Sequence, residues 1–392
     1  MPTIEEHLES TRRLLLPLGV EAVKTTEAAG RVLADDVYAA SDLPAFDNSQ
    51  MDGYALSSQQ CAATPGRFRV GPVIPAGTDP STQYPEGIEG DVVPVMTGAK
   101  LPAGTAAVVP VEECRPGDFV TEGAVVSVPA TQTGQFVRRR GSDIQSGELL
   151  LHAGGALTPA AVAVLVAQGV ATVKVVARAS MLIVTGGAEV GGSGSASIPD
   201  SNAPMLAALA ARYGIVVAGF VRTDDDPTRL AADVRAAVAA HRPSFIVTSG
   251  GISAGAFEVV RQVLSPTGWF GHVDQQPGGP QGLARFDGVP VVCLPGNPLS
   301  TLVSFRLYVA PLVGTVDEPI TARLSTAVTG LPDHREQLLR GRLHVEDATV
   351  VATPVRGASS HLLARSAEAT CLIRIPAAAS LVPGDVVTVY PL

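Results

Sequence analysis

Cysteine is scarce in this sequence, and its placement excludes two kinds of site. The 392 residues contain four cysteines, and no two of them form a Cys-x-x-Cys pair. Cysteines this scattered provide no framework for disulfides or for a zinc site. They are typical of a protein from a reducing cytoplasm.

Charge and long apolar runs are also limited. Charged residues make up 17% of the chain and the formal net charge is −9, which argues against nucleic acid or an anionic membrane as the main partner. The acidic N-terminus lacks the apolar core of a signal peptide. No run of about 18 apolar residues predicts a membrane span. We therefore expect a soluble cytoplasmic protein.

Aromatic residues are few, at 4%, whereas the chain contains 40 Gly and 31 Pro. This composition favours many turns and short strands over long helices. The hydrophobic fraction of 46% is ample for sizeable cores. The length predicts roughly two to four domains.

The chain is organised around residues 245–255. Residues 245–248 are apolar or β-branched and too few for a helix, so they predict a buried strand. The strand is followed by Ser249, Gly250 and Gly251, and the missing Cβ atoms of the two glycines allow backbone amides to approach a ligand closely. A helical run begins near Phe257. This order predicts an anion or nucleotide pocket at the carboxyl edge of a parallel sheet, and it is equally typical of an ordinary glycine turn.

The residue pattern along the chain predicts several regions of different secondary structure. Thr3 and Glu6 predict a capping box for a first helix, and a second helix is expected from about Thr26. Short β-branched runs then alternate with Gly and Pro clusters. Strands and helices alternate from about residue 178 to 316, which predicts a parallel sheet covered on both faces. The predicted domains are 1–40 with 136–177 (split, helical/linker), 41–135 (β-rich), 178–318 (α/β) and 319–392 (β).

Three polar constellations offer chemistry. Asp47 and Asp52 lie in one loop, where carboxylate oxygens suit a hard cation but an Asx-turn loop explains them better. The only concentrated basic run, residues 138–140, suits phosphate or molybdate oxygens, or is a solvated charge run. The turn at Leu294-Pro295-Gly296-Asn297-Pro298 presents backbone amides at a helix start, as a second half of the cradle.

Taken together, these stretches resemble the molybdopterin molybdenumtransferase family (MoeA, and the gephyrin E domain). The matching segments occur in the family's order and span almost the whole chain. They are residues 47–55, 96–99, 139–144, 200–202, 249–255 and 294–298.

The resemblance implies an elongated, four-domain homodimer whose third domain, about 178–318, binds molybdopterin. It implies Mg²⁺-dependent insertion of molybdate into adenylylated molybdopterin, with release of AMP. The implied catalytic residues are Asp52, Asp143, Asp225 and Glu258, and the metal ligands among them are Asp52, Asp225 and Glu258. The implied substrate-binding residues are Thr97, Arg139, Arg140, Thr185, Ser249, Gly250, Gly251, Ser253, Pro295, Gly296, Asn297, Pro298 and Ser360.

The sequence departs from the family pattern at three places. The mildest is Glu258, where the family usually has Asp, which moves the carboxylate by one methylene. The acidic pair of one family turn is replaced by Gly187 and Ala188, with Glu189 one position further on. Two lysines of the family are replaced by Gln276 and Gly279, which removes charge-assisted contacts worth roughly 1.5–3 kcal/mol each. The residues that we expect to compensate are Arg138, Arg139, Arg140, Arg261, Arg285 and His272.

Two functions of different classes follow from the resemblance. The first is molybdenum insertion in cofactor biosynthesis, with no nucleic-acid partner. The second is a catalytically weakened or inactive dimer that acts as a gephyrin-like scaffold for a protein partner. An ordinary dinucleotide oxidoreductase is not predicted, because no Gly-x-Gly-x-x-Gly motif opens a helix.

Overall fold

A computed structural model describes residues 1–186, 190, 197–223, 226–252, 258–355, 357 and 363–392. The chain divides into two compact units. The larger unit consists of Met1–Gly19 and Ala177–Leu392, and the smaller unit of Val20–Val176. None of the helices within the described residues is long and apolar enough to cross a membrane.

The chain begins with helix α1, Ile4–Leu15, in the larger unit. The Thr3 hydroxyl accepts a hydrogen bond from Glu6 N at 3.2 Å, and the Glu6 carboxylate accepts one from Thr3 N at 2.9 Å. The predicted capping box is therefore confirmed, and it pairs two amides that the first helical turn leaves without intrahelical partners.

The prediction of a second helix from about Thr26 is wrong. Strand β1, Val20–Lys24, is followed by a single 3₁₀ turn at Thr25–Glu27. The strand pairs with Thr172–Val176, so its backbone is satisfied by a segment far along the chain. Ala28 and Leu33 are buried in the core that this pairing builds. The apolar spacing reflected burial, and long-range pairing overrode local helical preference.

The smaller unit is β-rich. After β1, its strands are β2 (Val37–Tyr38), β3 (Asn48–Ser49), β4 (Gly53–Ser57), β5 (Gly66–Arg69), β6 (Val93–Val95), β7 (Thr105–Pro110), β8 (Val125–Val128), β9 (Val137–Arg138), β10 (Leu149–Leu151) and β11 (Thr172–Val176). Its helices are α2 (Ser58–Ala62) and α3 (Pro159–Ala167). Strand β4 lies between β6 and β7 and pairs with both of them in the antiparallel direction. The predicted β texture of this region is confirmed.

A six-stranded sheet organises the larger unit, in the order β13-β12-β14-β18-β17-β15. The strands of this part of the chain are β12 (Ser180–Gly186), β13 (Val216–Thr223), β14 (Phe245–Ser249), β15 (Trp269–His272), β16 (Gln275–Gln276), β17 (Pro280–Phe286) and β18 (Val289–Leu294). The first four strands in that order are parallel, and β17 and β15 extend the sheet as antiparallel strands.

Helices cover both faces of this sheet, as predicted. They are α4 (Asn202–Arg212), α5 (Pro227–His241), α6 (Val259–Leu264), α7 (Pro298–Ser304) and α8 (Ala310–Val313), with a π-helical turn at Phe305–Val309. One apolar core contains Leu206 and Phe305, and the core on the other face contains Leu230 and Val260. Because both faces are covered, the central parallel strands β12, β14 and β18 are buried and mostly apolar.

The C-terminal part of the larger unit is a closed β-barrel. The strands of the C-terminal part of the chain are β19 (Ile320–Leu324), β20 (Val328–Thr329), β21 (Glu336–Glu346), β22 (Thr349–Pro354), β23 (Cys371–Ile375), β24 (Ser380–Leu381) and β25 (Val386–Pro391). Pairing runs β21-β22-β19-β25-β23 and returns to β21, which leaves no open edge in this ring. Strand β16 pairs in parallel with β21. The predicted C-terminal β structure is confirmed, whereas the predicted domain boundaries stay predictions.

Candidate functional site

The two glycine corners of the sequence meet at one edge of the large sheet. Strands β14 and β18 are parallel neighbours, with Ser249 opposite Leu294. The Ser249 hydroxyl donates to the Pro295 carbonyl at 3.1 Å, and Gly250 N donates to the Leu294 carbonyl at 3.1 Å. The predicted meeting of the corners at the carboxyl edge is therefore confirmed.

Glycine is required where the corners touch. A Cβ on Gly296 would lie 3.2 Å from the Gly250 Cα atom, so backbone packs directly on backbone. Gly250 has φ +95° and Gly251 has φ +67°, a region that disfavours side chains. A Cβ on Gly251 would also approach Val260 to 2.9 Å. The contact between the corners excludes side chains from this part of the rim.

A cavity of about 530 Å³ lies at this rim. Its size is in the range of small-molecule sites. Several sequence-predicted site residues line it: Thr185, Ser249, Gly250, Gly251, Glu258, Gly296, Asn297 and Pro298. The cavity therefore collects residues from the ends of three parallel strands.

A pair of buried hydroxyl groups supports the second corner from below. The Thr301 hydroxyl donates to the Pro295 carbonyl at 2.6 Å and lies 3.0 Å from the Ser249 hydroxyl. Both side chains are almost fully buried. The Ser249 hydroxyl is thus committed to a protein carbonyl. Thr301 was not predicted; its place four residues after the helix cap Asn297, whose carbonyl it also contacts, is the signal that would have found it.

Asp200 is a second cavity residue that was not predicted as part of the site. One carboxylate oxygen accepts from the Thr185 hydroxyl at 2.6 Å. The other accepts from the backbone N–H groups of Asn202 and Ala203, at 3.0 and 3.1 Å. An aspartate just before a helical run is a capping signal, and here it also orients Thr185.

The described lining of the cavity carries two carboxylates, Asp200 and Glu258, and no lysine or arginine. An anionic ligand there depends on backbone amides, on a bound cation, or on residues beyond this lining. Across the described residues, no three or more His, Cys, Asp or Glu side chains are grouped to hold a metal ion.

In the smaller unit, Asp52 and Thr97 lie together, as two residues of the predicted site. One Asp52 oxygen accepts from Thr97 N at 2.6 Å and from the Thr97 hydroxyl at 2.7 Å. These hydrogen bonds, that from the backbone foremost, lower the pKa of Asp52 below its usual value. The side chain is exposed and ionised.

The basic run is paired with acids of the same unit. Arg139 contacts an Asp47 oxygen at 2.6 Å, and Arg140 contacts Asp42 at 2.5 Å. Asp47 also accepts from Arg140 N at 2.7 Å. The Asp47 carboxylate is thus used within the protein, in agreement with the favoured interpretation of this loop as one that satisfies its own polar groups, and the arginines are partly neutralised. Asp143 is exposed.

Comparison with known proteins decides the family. Family models for the MoeA N-terminal region (domain I and II), a probable molybdopterin binding domain and the MoeA C-terminal region (domain IV) match residues 2–169, 170–315 and 321–392. The chain is 36% identical over 403 residues to molybdopterin molybdenumtransferase 2 of Mycobacterium tuberculosis, with 96% of each chain covered. The chain belongs to the molybdopterin molybdenumtransferase family.

Other members of the family agree with this assignment. The molybdopterin molybdenumtransferase of Synechococcus elongatus is 33% identical over 352 residues, which cover 84% of this chain and 85% of the relative. The crystal structure of a molybdopterin biosynthesis MoeA protein from Pyrococcus horikosii has a TM-score of 0.79 at 28% identity, and covers 99% of this chain and 98% of that one. The predicted resemblance and its four-domain α/β and β architecture are confirmed.

The two positions at which the resemblance implies lysines line a second cavity, of about 500 Å³. Gln276 and Gly279 lie there with His272, His334 and Arg335. His334 and Arg335 were not predicted, because they come from a loop before β21 that is distant in sequence. Both side chains contact acids: His334 lies 3.1 Å from Asp274 and Arg335 lies 2.7 Å from Asp333.

Of the cations expected to replace those lysines, His272 alone lies in the described lining of this cavity. Arg285 donates to the Gly288 carbonyl at 3.0 Å, and Arg261 lies over the Phe270 ring at 5.8 Å. Compensation by these two arginines at the second cavity is therefore wrong. The positions that lie outside the described residues are Gly187, Ala188, Glu189, Asp225, Ser253 and Ser360.

Proposed function

We propose that this chain is a molybdopterin molybdenumtransferase that inserts molybdenum from molybdate into adenylylated molybdopterin and releases AMP. The observation that carries the proposal is the cavity framed by two touching glycine corners in a chain of this family. Its volume of about 530 Å³ suits a pterin nucleotide. Its neutral and acidic wall suits a ligand held by amides and accompanied by a cation.

The proposed phosphate donors are backbone amides of the corners. The N–H of Gly250 already donates a hydrogen bond to the Leu294 carbonyl. We therefore propose the backbone N–H groups of Gly251 and Gly296 as donors to the ligand. The Pro295 carbonyl points at the buried Ser249 and Thr301 hydroxyls. In a planar trans peptide the N–H of Gly296 then points the opposite way, away from these hydroxyls.

We propose that the cation is Mg²⁺. Carboxylate oxygens are its preferred protein ligands, and Mg²⁺ is usually held by one or two of them together with substrate phosphates. Glu258 lies on the cavity wall with Asp200, and this donor set fits such an ion. When bound, Mg²⁺ would neutralise phosphate charge and polarise a phosphoryl oxygen. Glu258 would hold the ion, and Thr185 and Asn297 would orient the ligand.

The proposal includes a homodimer and the remaining roles that the resemblance implies. The residues concerned are Asp52, Thr97, Arg139, Arg140, Asp143, Asp225, Ser253 and Ser360. Sedimentation of the purified chain as a monomer at assay concentration would contradict the dimer.

The decisive experiment measures AMP release by the purified protein given adenylylated molybdopterin, Mg²⁺ and molybdate. We expect AMP only when all three are present, and about tenfold slower release or worse for Asp52→Asn, because a lost charge of this kind is worth at least about 1.4 kcal/mol. No AMP release from the complete mixture would reject the proposal.

The scaffold function stays the alternative, and a specific observation favours it. The second cavity has Gln276 and Gly279 where the resemblance implies lysines. Its lining residues His334 and Arg335, which precede β21, contact acids. A specific protein partner that binds equally well to Asp52→Ala, together with absent AMP release, would support this alternative. Normal AMP release without any such partner would exclude it.

A further inference from the structure

The side chain of Asn202 connects two distant parts of the cavity rim. Asn202 is the first residue of α4, and its Nδ2 donates to the Gly296 carbonyl at 2.8 Å across 94 residues of sequence. Its Oδ1 is buried and makes no hydrogen bond among the described residues. The position of this side chain is therefore not explained by a need to satisfy both of its own polar groups, because its acceptor stays without a hydrogen bond among these residues. What Asn202 gains is the single bond to the corner.

That bond completes the fixation of the second corner. The Pro295 carbonyl is held from below by the hydroxyls of Ser249 and Thr301. The next carbonyl, that of Gly296, is held from the side of α4 by Asn202. Because the peptide is planar, holding the Gly296 carbonyl also sets the direction of the Asn297 N–H on the opposite side of the same plane.

Asn202 is itself held in place from the other end of the rim. Its backbone N–H donates to Asp200 at 3.0 Å, and the same carboxylate accepts from Thr185 at the end of β12. A continuous polar chain therefore runs from β12, through the start of α4, to the corner after β18. Among the described residues outside its own chain neighbours, a Cβ on Gly296 would meet backbone atoms of Gly250 alone within 4 Å.

We propose that Asn202 is a positioning residue for a phosphate-bearing ligand. It holds the peptide between Gly296 and Asn297 in one orientation, so that the corner is preorganised for the ligand. This inference rests on the proposed function of the cavity, and it adds a specific role for a side chain that contacts the corner and not the reacting atoms.

The test compares two aspartate substitutions in the first turn of α4. Asn202→Asp replaces the donor by a carboxylate oxygen that faces the Gly296 carbonyl. Pro204→Asp adds the same charge at an exposed position outside the described cavity lining. Neither change should unfold the helix, because aspartate is favourable at a helix start. Asn202→Ala removes the donor without adding charge.

The readouts are the Kd for molybdopterin, the separate kcat and KM for AMP release, and the melting temperature. We expect Asn202→Asp and Asn202→Ala to weaken molybdopterin binding about tenfold or more and to raise KM. We expect kcat to change less, the melting temperature to stay close to that of the wild type, and Pro204→Asp to show a smaller loss of binding. Equal losses in the two aspartate variants, or unchanged binding in Asn202→Ala, would overturn the proposal.

Amide hydrogen exchange at Gly296 and Asn297 separates this inference from the proposed function. In the ligand-free protein we expect faster exchange in Asn202→Ala than in the wild type, since the corner has lost one restraint. If the wild type bound no molybdopterin, the proposed function would fail, yet faster exchange would still support the restraint. Unchanged exchange would overturn the role of Asn202 whatever the ligand.

Discussion

Gly279 occupies a position where the backbone would accept a longer residue. A Cβ there would make only ordinary contacts, 3.5 Å from a His272 ring atom and 3.6 Å from the Gln275 carbonyl oxygen. The neighbouring Gly278 is different, because it has φ +91° and a Cβ would approach the Gln275 amide nitrogen to 2.7 Å. A lysine, as the resemblance implies for this motif, can therefore be placed at 279 and not at 278.

We expect Gly279→Lys to tighten molybdate binding about tenfold, since one charge-assisted contact is worth roughly 1.5–3 kcal/mol less the cost of ordering the side chain. Titration calorimetry with molybdate at low and high salt measures this. Gly279→Gln is the control, with a polar chain but no charge, and should gain little. Equal affinity in the lysine and glutamine variants would show that the second cavity is not a site for this anion.

Other single residues acquire their roles only through partners elsewhere in the chain. Ser249 was predicted to bind substrate, and its hydroxyl is instead donated to Pro295. Arg139 and Arg140 were predicted to bind substrate, and both contact acids of their own unit. The residue types were identified correctly as polar and basic. Which atoms remain available to a ligand depends on neighbours 46 or more positions away.

At the scale of elements, helix α1 combines a strong local signal with an unusual burial. Its capping box follows from two residues of sequence. Its buried face, however, includes His7, which is 1% exposed. The imidazole ring lies 4.6 Å from the Tyr308 ring and 5.5 Å from the Trp269 ring, and its Nε2 has no hydrogen-bond partner among the described residues. Such a site accommodates neutral histidine only.

Burial lowers the pKa of His7 from 6.5 to about 4. The unfolded chain therefore binds a proton below pH 6.5 that the folded protein does not take up until about pH 4. The stability due to neutral His7 is present above pH 6.5 and is lost as the pH falls from 6.5 towards 4, by roughly 3 kcal/mol in all.

We expect His7→Phe to flatten the pH dependence of the free energy of unfolding between pH 6.5 and 4. Urea denaturation at several pH values measures the difference from the wild type. His152→Gln, which removes an exposed imidazole, should keep the wild-type slope. A His7→Phe slope identical to that of the wild type would show that another group causes the dependence.

Elements of the large sheet were predictable because their signals are local. Strands and helices alternate as expected from β12 to α6, and β14 and β18 are the short apolar runs that were predicted. Strands β15, β16 and β17, which follow α6 without an intervening helix, were not predicted. Strand β1 could not be predicted from the sequence, because its five residues are stabilised by pairing with β11. A short segment without a strong local preference adopts the structure of its partner.

At the scale of the larger unit, Arg306 joins the helical layer to the C-terminal barrel. It lies in the π-helical turn and is 1% exposed. Its guanidinium donates to the Pro391 carbonyl at 2.8 Å and to the Asp317 carbonyl at 2.7 Å. Two carbonyls on separate segments thus share one buried cation.

We expect Arg306→Met to lower the free energy of unfolding by about 3 kcal/mol, because two carbonyls lose a charged donor in a buried place. Urea denaturation followed by circular dichroism gives the value. Arg323→Met, which removes an exposed arginine that donates to the Gly384 carbonyl at 2.8 Å, should cost much less. A similar loss in both variants would mean that side-chain packing, not burial of the bonded cation, sets the effect.

By itself, the sequence determined the first helix, the α/β and β character of the successive regions, the two glycine corners and the family. These depend on residue type and spacing within short windows, where backbone geometry and apolar periodicity act directly. Only the tertiary structure decided which donors are already used, which arginines are paired, and that Asn202 reaches Gly296. Those outcomes depend on hydrogen bonds between residues far apart in the chain, and a side chain's availability is set by whichever partner the fold brings to it.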